Sequence, residues 1–163
     1  MEIDKTVMKK VLNKKNFITA FLALAVIILG ISYFMNNNLS DKPKQVCIGN
    51  KACFNYEIAD TDEKKILGLG NRDFLGENDG MLFPFPEKSS PGFWMKGMRF
   101  PIDIIWIDSE MKVSGIVRDF QPCEPNEQCT AVYPDEKIIY VLEINAGLSE
   151  RHGLEAGDAI YLK

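Results

Sequence analysis

Histidine is almost missing from this chain. His152 is the only one in 163 residues, and there are just four cysteines. His152 lies in the polar turn Ser149-Glu-Arg-His-Gly153 with no plausible serine or cysteine nucleophile nearby in sequence, and is read as exposed. Catalytic-triad, phosphate-loop and zinc-protease motifs are all lacking. No cofactor motif and no metal-ligand set stands out, so neither a cofactor nor a metal is expected. Repeats and low-complexity tracts are absent too. Basic charge is scarce outside the N-terminus. Of 19 basic and 23 acidic residues, five and two fall in the first sixteen positions, which leaves 14 and 21 beyond them and a net of −7. That surface is a poor partner for nucleic acid. Its plain reading is solubility.

One feature is abundant. Phe17–Met35 is a nineteen-residue run without a charge, preceded by Lys5, Lys9, Lys10, Lys14 and Lys15. As a helix it spans ~28 Å, close to the hydrocarbon thickness of a bilayer. The positive-inside bias keeps residues 1–16 in the cytoplasm. The chain is therefore expected to be a single-pass membrane protein with an extracytoplasmic C-terminal part. A cleaved signal peptide is the rival. It is disfavoured because the run exceeds a usual h-region and Ser32-Tyr33-Phe34-Met35 is a poor cleavage site. No cysteine follows the run closely, which argues against a lipoprotein. Residues 36–43 are polar and read as a spacer. Residues 44–163 are enough for one domain with its own core.

The cysteines form two local pairs of equal spacing, Cys47 with Cys53 and Cys123 with Cys129. Three connectivities are possible. The local pairs are favoured, because Gly49-Asn50-Lys51 can turn a hairpin that sets Cys47 opposite Cys53. An extracytoplasmic domain permits such bridges. Zinc is the weaker reading, since the pairs are wider than zinc-knuckle spacing and His152 is remote. Free thiols are the third.

Hydrophobic periodicity predicts many short strands and two short helices. Gln45–Ile48 and Ala52–Ala59 read as a hairpin, with Phe54, Tyr56 and Ile58 alternating with Asn55 and Glu57. A helix capped by Asp60 carries Ile66, Leu67 and Leu69 and stops at Gly68 and Gly70. Gly80–Phe85 is a strand that Pro84 pushes towards an edge. Phe93–Met98, Ile102–Ile107, Val113–Phe120, Ile138–Asn145 and Ala159–Leu162 are further strands, with a hairpin turn at Asp108-Ser109-Glu110. Ser149 caps a second helix to Leu154. The pattern points to a mainly β domain, either a sandwich or a partly closed barrel.

Four stretches together resemble the domain of unknown function 192 family. They are Gly68-Leu-Gly-Asn-Arg72, Gly80-Met-Leu-Phe-Pro-Phe85, Phe93-Trp-Met-Lys-Gly-Met-Arg-Phe-Pro-Ile-Asp103, and Val141-Leu-Glu-Ile-Asn-Ala-Gly147 leading to Gly157-Asp158. Their order and spacing fit over about Tyr56–Leu162. The resemblance implies a compact, jelly-roll-like β domain, often placed behind a signal or membrane anchor. It also implies a cysteine pair near Cys123 and Cys129 in secreted members, and no established reaction. Members usually carry Met where Gly70 stands and Asn-Thr where Gly97-Met98 stand, so this chain lacks that polar pair.

Four residues are candidates for a ligand site: Arg72, Trp94, Asp103 and Glu143. Asp103 enters the apolar strand Ile104-Ile105-Trp106-Ile107 and needs partners there. An ion pair with Arg72 is the expectation; a polar spot in a cleft is the alternative. Glu143 alternates with Val141 and Asn145 and reads as a surface acid unless both sheet faces are covered. Asp103 with Glu143 is a remote possibility for a glycosidase-type pair. Phe93 and Trp106 suit core packing, while Trp94, beside Lys96 and Gly97, suits the surface. The leading functional expectation is a non-catalytic module binding a ligand or an envelope protein. The alternatives are an envelope hydrolase using Asp103, Glu143 and Arg72, or a structural subunit of an envelope complex.

Overall fold

The computed structural model describes residues 21–22, 24–33, 43–124 and 128–163. The five lysines, both ends of the apolar run and the spacer to Lys42 lie outside them. Residues 24–33 are helical, and Leu24, Val26, Ile27, Ile28, Leu29, Ile31 and Tyr33 are all exposed. Among the described residues no helix is long and apolar enough to cross a membrane. Pro43–Lys163 form a separate compact unit.

That unit is one seven-stranded sheet in the order β5-β4-β6-β3-β2-β1-β7. The strands are β1 (Gln45–Ile48), β2 (Ala52–Ile58), β3 (Asp79–Ser89), β4 (Ile102–Ile107), β5 (Val113–Phe120), β6 (Ile138–Asn145) and β7 (Ile160–Leu162). Two short helices, α1 (Asp62–Leu67) and α2 (Leu148–Arg151), complete it. The sheet curls into a half-barrel. At its open side the backbone of Met111 and Val113 bonds that of Gly157, Asp158 and Ile160 at 2.8–2.9 Å. Of the two architectures expected, the partly closed barrel is the one the strands build; a single continuous sheet is not a sandwich or jelly roll.

Each face of the sheet has a core. The concave core draws on every strand: Ile48 from β1, Phe54 from β2, Leu82 from β3, Ile105 and Ile107 from β4, Val113 from β5, Leu142 and Ile144 from β6, Ile160 from β7. The second core lies on the other face, where Met81, Phe83, Ile104, Trp106 and Val141 pack under Leu69, Phe93 and Met95. Strand alternation sorts the residues between the faces. Buried on both, β4 is apolar at every position but Asp103.

The β1–β2 hairpin forms as read, and Cys47 pairs with Cys53 across it. Cys123 bonds Cys129. Each bridge closes a short loop, worth about 2 kcal/mol in the chain-entropy model. The first and last strands meet at one edge. Gln45 and Lys163 exchange two backbone hydrogen bonds of 3.1 and 2.8 Å.

Four local expectations are corrected. Pro84 does not put β3 at an edge; β3 lies between β2, with which it is parallel, and β6. Alternate residues of a strand face opposite neighbours. The Leu82 carbonyl accepts from the Ala59 N–H at 2.9 Å, so Pro84 faces the same side, where β2 has already ended at Ile58. Its missing N–H costs no ladder bond. The cap of α1 is Thr61, whose Oγ1 accepts from the Lys64 N–H at 3.3 Å; Asp60 instead holds the Lys64 ammonium at 2.7 Å. Phe93–Met98 is not a strand. Phe93 bridges Val132, and then Gly97, at φ +75°, turns the chain so that the Met98 N–H bonds the Met95 carbonyl. Helix α2 spans Leu148–Arg151 rather than Ser149–Leu154, and the Ser149 N–H is used elsewhere.

It is used by Asp103. This carboxylate is fully buried and accepts from the N–H groups of Asp119 at 2.9 Å, Gly147 at 3.2 Å and Ser149 at 2.8 Å. Asp119 sits where the β4–β5 register shifts, at φ +51°, which turns its amide inward. Asp103 thus fastens β4 to a bulge of β5 and to the start of α2. The expected ion pair with Arg72 does not exist. Replacing Asp103 with Ala is expected to cost about 3 kcal/mol, because three amides, that of Ser149 buried and those of Asp119 and Gly147 partly so, lose their acceptor. The denaturant midpoint of the variant against the parent checks this.

Candidate functional site

The segment 91–98 and the turn after α1 leave a cleft over the second core. Lys65, Leu67, Gly68, Phe83, Phe85, Phe93, Trp94, Lys96, Met98 and Glu143 are among its lining residues, and its volume is about 150 Å³. Helix α1 brings Lys65 and Leu67 to one side. Gly68 ends the helix at φ +51°, where a side chain is strained, and a Cβ there would stand 3.8 Å from a Glu143 carboxylate oxygen. The close backbone at this turn thus lies over Glu143.

Aromatic packing shapes the floor. The Phe93 ring meets those of Phe83 at 5.1 Å, Trp106 at 5.5 Å and Phe85 at 6.5 Å, all edge to face. Phe93 and Trp106 are core residues, as expected. Trp94 is the exception, 44 % exposed at the cleft wall. The Lys65 ammonium lies 4.7 Å from the centre of the Phe85 ring, a cation–π contact.

Glu143 is not the surface acid that its alternation allowed. Its neighbours across the sheet are Met81 and Ile104, both buried, and it is itself only 6 % exposed. Its Oε2 has no hydrogen-bond partner. Burial without a partner pushes its carboxyl up to about 8, against a smaller downward pull from the Arg72 guanidinium. Burial thus favours the protonated acid at neutral pH, with a proton to donate.

Arg72 lies outside this cleft. It lines an adjacent hollow of about 350 Å³ with Glu57, Ile58, Lys64 and Met81; Leu67 and Gly68 border both spaces. Two hydrogen bonds of 2.7 and 2.9 Å join Arg72 to Glu57. The bond raises the guanidinium pKa and lowers that of Glu57. Asp103 is also remote in kind. It pairs with Ile144, whereas Glu143 pairs with Ile104, so the two acids project from opposite faces of the sheet. They cannot flank one sugar ring, and the glycosidase pairing is withdrawn.

The structure therefore gathers Trp94 and Glu143, and separates Arg72 and Asp103 from them. Lys65, Phe85 and Met98 were not anticipated as site residues. Nothing in the local sequence of Lys65 marks it; only the placement of α1 does. His152, read as exposed, is half-buried with its ring 6.0 Å from that of Phe54. Among the described residues no group of three or more His, Cys, Asp or Glu could hold a metal.

The family model for domain of unknown function 192, described as Uncharacterized ACR, matches residues 44–162. No curated protein matches the chain. Two solved structures are similar. A protein of unknown function from Novosphingobium aromaticivorans shares 30 % identity with a TM-score of 0.66, over 73 % of this chain and 83 % of that one. A protein from Sinorhizobium meliloti 1021, provisionally described as a transcription regulator, shares 27 % identity with a TM-score of 0.67, over 75 % and 94 %.

The state of Glu143 has a consequence for stability. Its folded pKa lies near 8, above that of the unfolded chain, so the folded protein holds a proton that the unfolded chain releases. Between roughly pH 5 and 8 this linkage lowers stability by about 1.4 kcal/mol per pH unit. Glu143→Gln, neutral throughout, is expected to remove that slope. Chemical denaturation of parent and variant at pH 5, 6, 7 and 8 checks it.

Proposed function

The chain belongs to the domain of unknown function 192 family, and from that fold and its cleft we propose a membrane-anchored, extracytoplasmic module that binds a small ligand without transforming it. The observation that carries the binding reading is Glu143, a buried acid at the cleft with an unused carboxyl oxygen. A folded protein rarely keeps such a group without a purpose, because its desolvation is uncompensated. A ligand carbonyl or ether oxygen would accept its proton and restore the lost hydrogen bond. The aromatic and methionine walls supply apolar contact around that one polar point, the usual make-up of a small-molecule site.

Anchoring is supported by the charge-free run after five lysines and by its described portion, a helix with apolar side chains open on the surface. The two disulfides suit an oxidising compartment. The regulatory role attached to one structural neighbour is not carried over. With a net of −7 beyond residue 16, this chain lacks the positive field that DNA phosphates require.

An alkaline phosphatase reporter fused after Lys163 is expected to be active, as this enzyme matures only outside a reducing cytoplasm. An inactive reporter on a stably expressed fusion overturns the topology.

Acetophenone, a neutral ring bearing one acceptor, probes the cleft. With the full-length protein in detergent, saturation-transfer NMR is expected to show binding at pH 6 that fades as pH passes 8. Glu143→Gln keeps a donor and should bind at both pH values, while Glu143→Leu should not bind. Binding that ignores both pH and the Leu substitution removes Glu143 from the reading.

A further inference from the structure

The charge around the cleft runs against the charge of the domain. Beyond residue 16 acids outnumber bases by seven. Yet the charged residues lining the cleft are Lys65, Lys96 and Glu143, and Glu143 is buried. Among the described residues neither lysine has an ion-pair partner, although Lys51, Lys64 and Lys112 each hold an acid within 2.9 Å. Two ammonium groups with no acid beside them, one of them resting over the Phe85 ring, border an apolar hollow and are placed to meet a negative group that enters with an apolar body.

Size narrows the body. A cavity of about 150 Å³ is on the scale that accepts a single benzene ring. The rings of Phe85, Phe93 and Trp94 line it, and such faces favour an aromatic guest in edge or offset contact. Glu143 gives the buried part of the cleft one polar atom free to bond a substituent of that ring.

We propose that the cleft selects a monocyclic aromatic anion, with its ring among Phe85, Phe93 and Trp94, its charge at Lys65 and Lys96, and a polar ring substituent at Glu143. The inference deepens the binding reading above and rests on it. It adds the sign of the ligand charge and the size of its body. No bond is made or broken.

Three probes of the same ring size separate the parts: 4-hydroxybenzoate, benzoate and benzylamine. Trp94 is a cleft residue and reports occupancy through its fluorescence; saturation-transfer NMR of the probe gives a second reading. On the full-length protein at pH 6.5, 4-hydroxybenzoate is expected to bind tighter than benzoate, and benzylamine least. The double variant Lys65→Gln with Lys96→Gln should weaken 4-hydroxybenzoate about tenfold, as two partly exposed charge contacts are lost. Circular dichroism and a thermal melt matching those of the parent show that the variant is folded. Glu143→Leu should erase the preference for 4-hydroxybenzoate over benzoate. If acetophenone binds but benzylamine equals or exceeds the anions, or the lysine variant keeps full affinity, the anion proposal is overturned and the binding reading stands. If no probe binds, acetophenone included, both fall.

Discussion

Burial of both faces of the central strands is the constraint from which the rest of the domain follows. A curled sheet of seven strands fills its own hollow with side chains, but β3, β4 and β6 also carry apolar residues outward. Those residues need a roof, and the sheet cannot provide it. The turn at Leu69 and the segment around Phe93 and Met95 provide it instead. They are irregular, joined by the Asn71 N–H to the Gly97 carbonyl at 2.8 Å, and they do not cover the outer face completely. The gap is the cleft. The cleft is a by-product of how the second core is closed.

Two carboxyl groups on adjacent strands show how far the surroundings decide a residue's role. Asp103 and Glu143 stand one register step apart on β4 and β6, and both are removed from water. Asp103 receives three amides and becomes a fastener. Glu143 receives none at Oε2 and is held neutral instead. The nearby guanidinium that could have satisfied it is committed to Glu57. The two acids thus stand on opposite sides of one sheet, one fastened by backbone amides and the other with an unpartnered oxygen.

Most strands were legible because alternation and turn residues agree along them. The bounds of β1, β4, β5 and β6 follow from apolar period and flanking turns alone, as does the Cys47–Cys53 hairpin. Readings failed where a distant contact overrode local preference. Pro84 looks like an edge residue until the short length of β2 is known. Phe93-Trp-Met alternates like a strand because it lies on a core as one does, yet its partners are the roof contacts. Glu143 was ambiguous for a stated reason, the coverage of its face, and no property of Val-Leu-Glu-Ile could resolve it. Lys65 was invisible as a site residue, since a lysine on a short polar helix has no mark of what that helix will face. The Asp103–Arg72 pairing failed because backbone amides compete for carboxylates and leave no trace in side-chain identity.

The meeting of Gln45 with Lys163 has a consequence beyond the sheet edge. Where a polypeptide enters and leaves a compact body at one point, that body can be spliced into a surface loop of another protein as a cassette, with little strain on either host or guest. A tether arriving before Gln45 and any extension leaving after Lys163 would emerge side by side, like two leads from a single socket. The seven-stranded body could then hang from one tether or be strung between two without rearranging a strand.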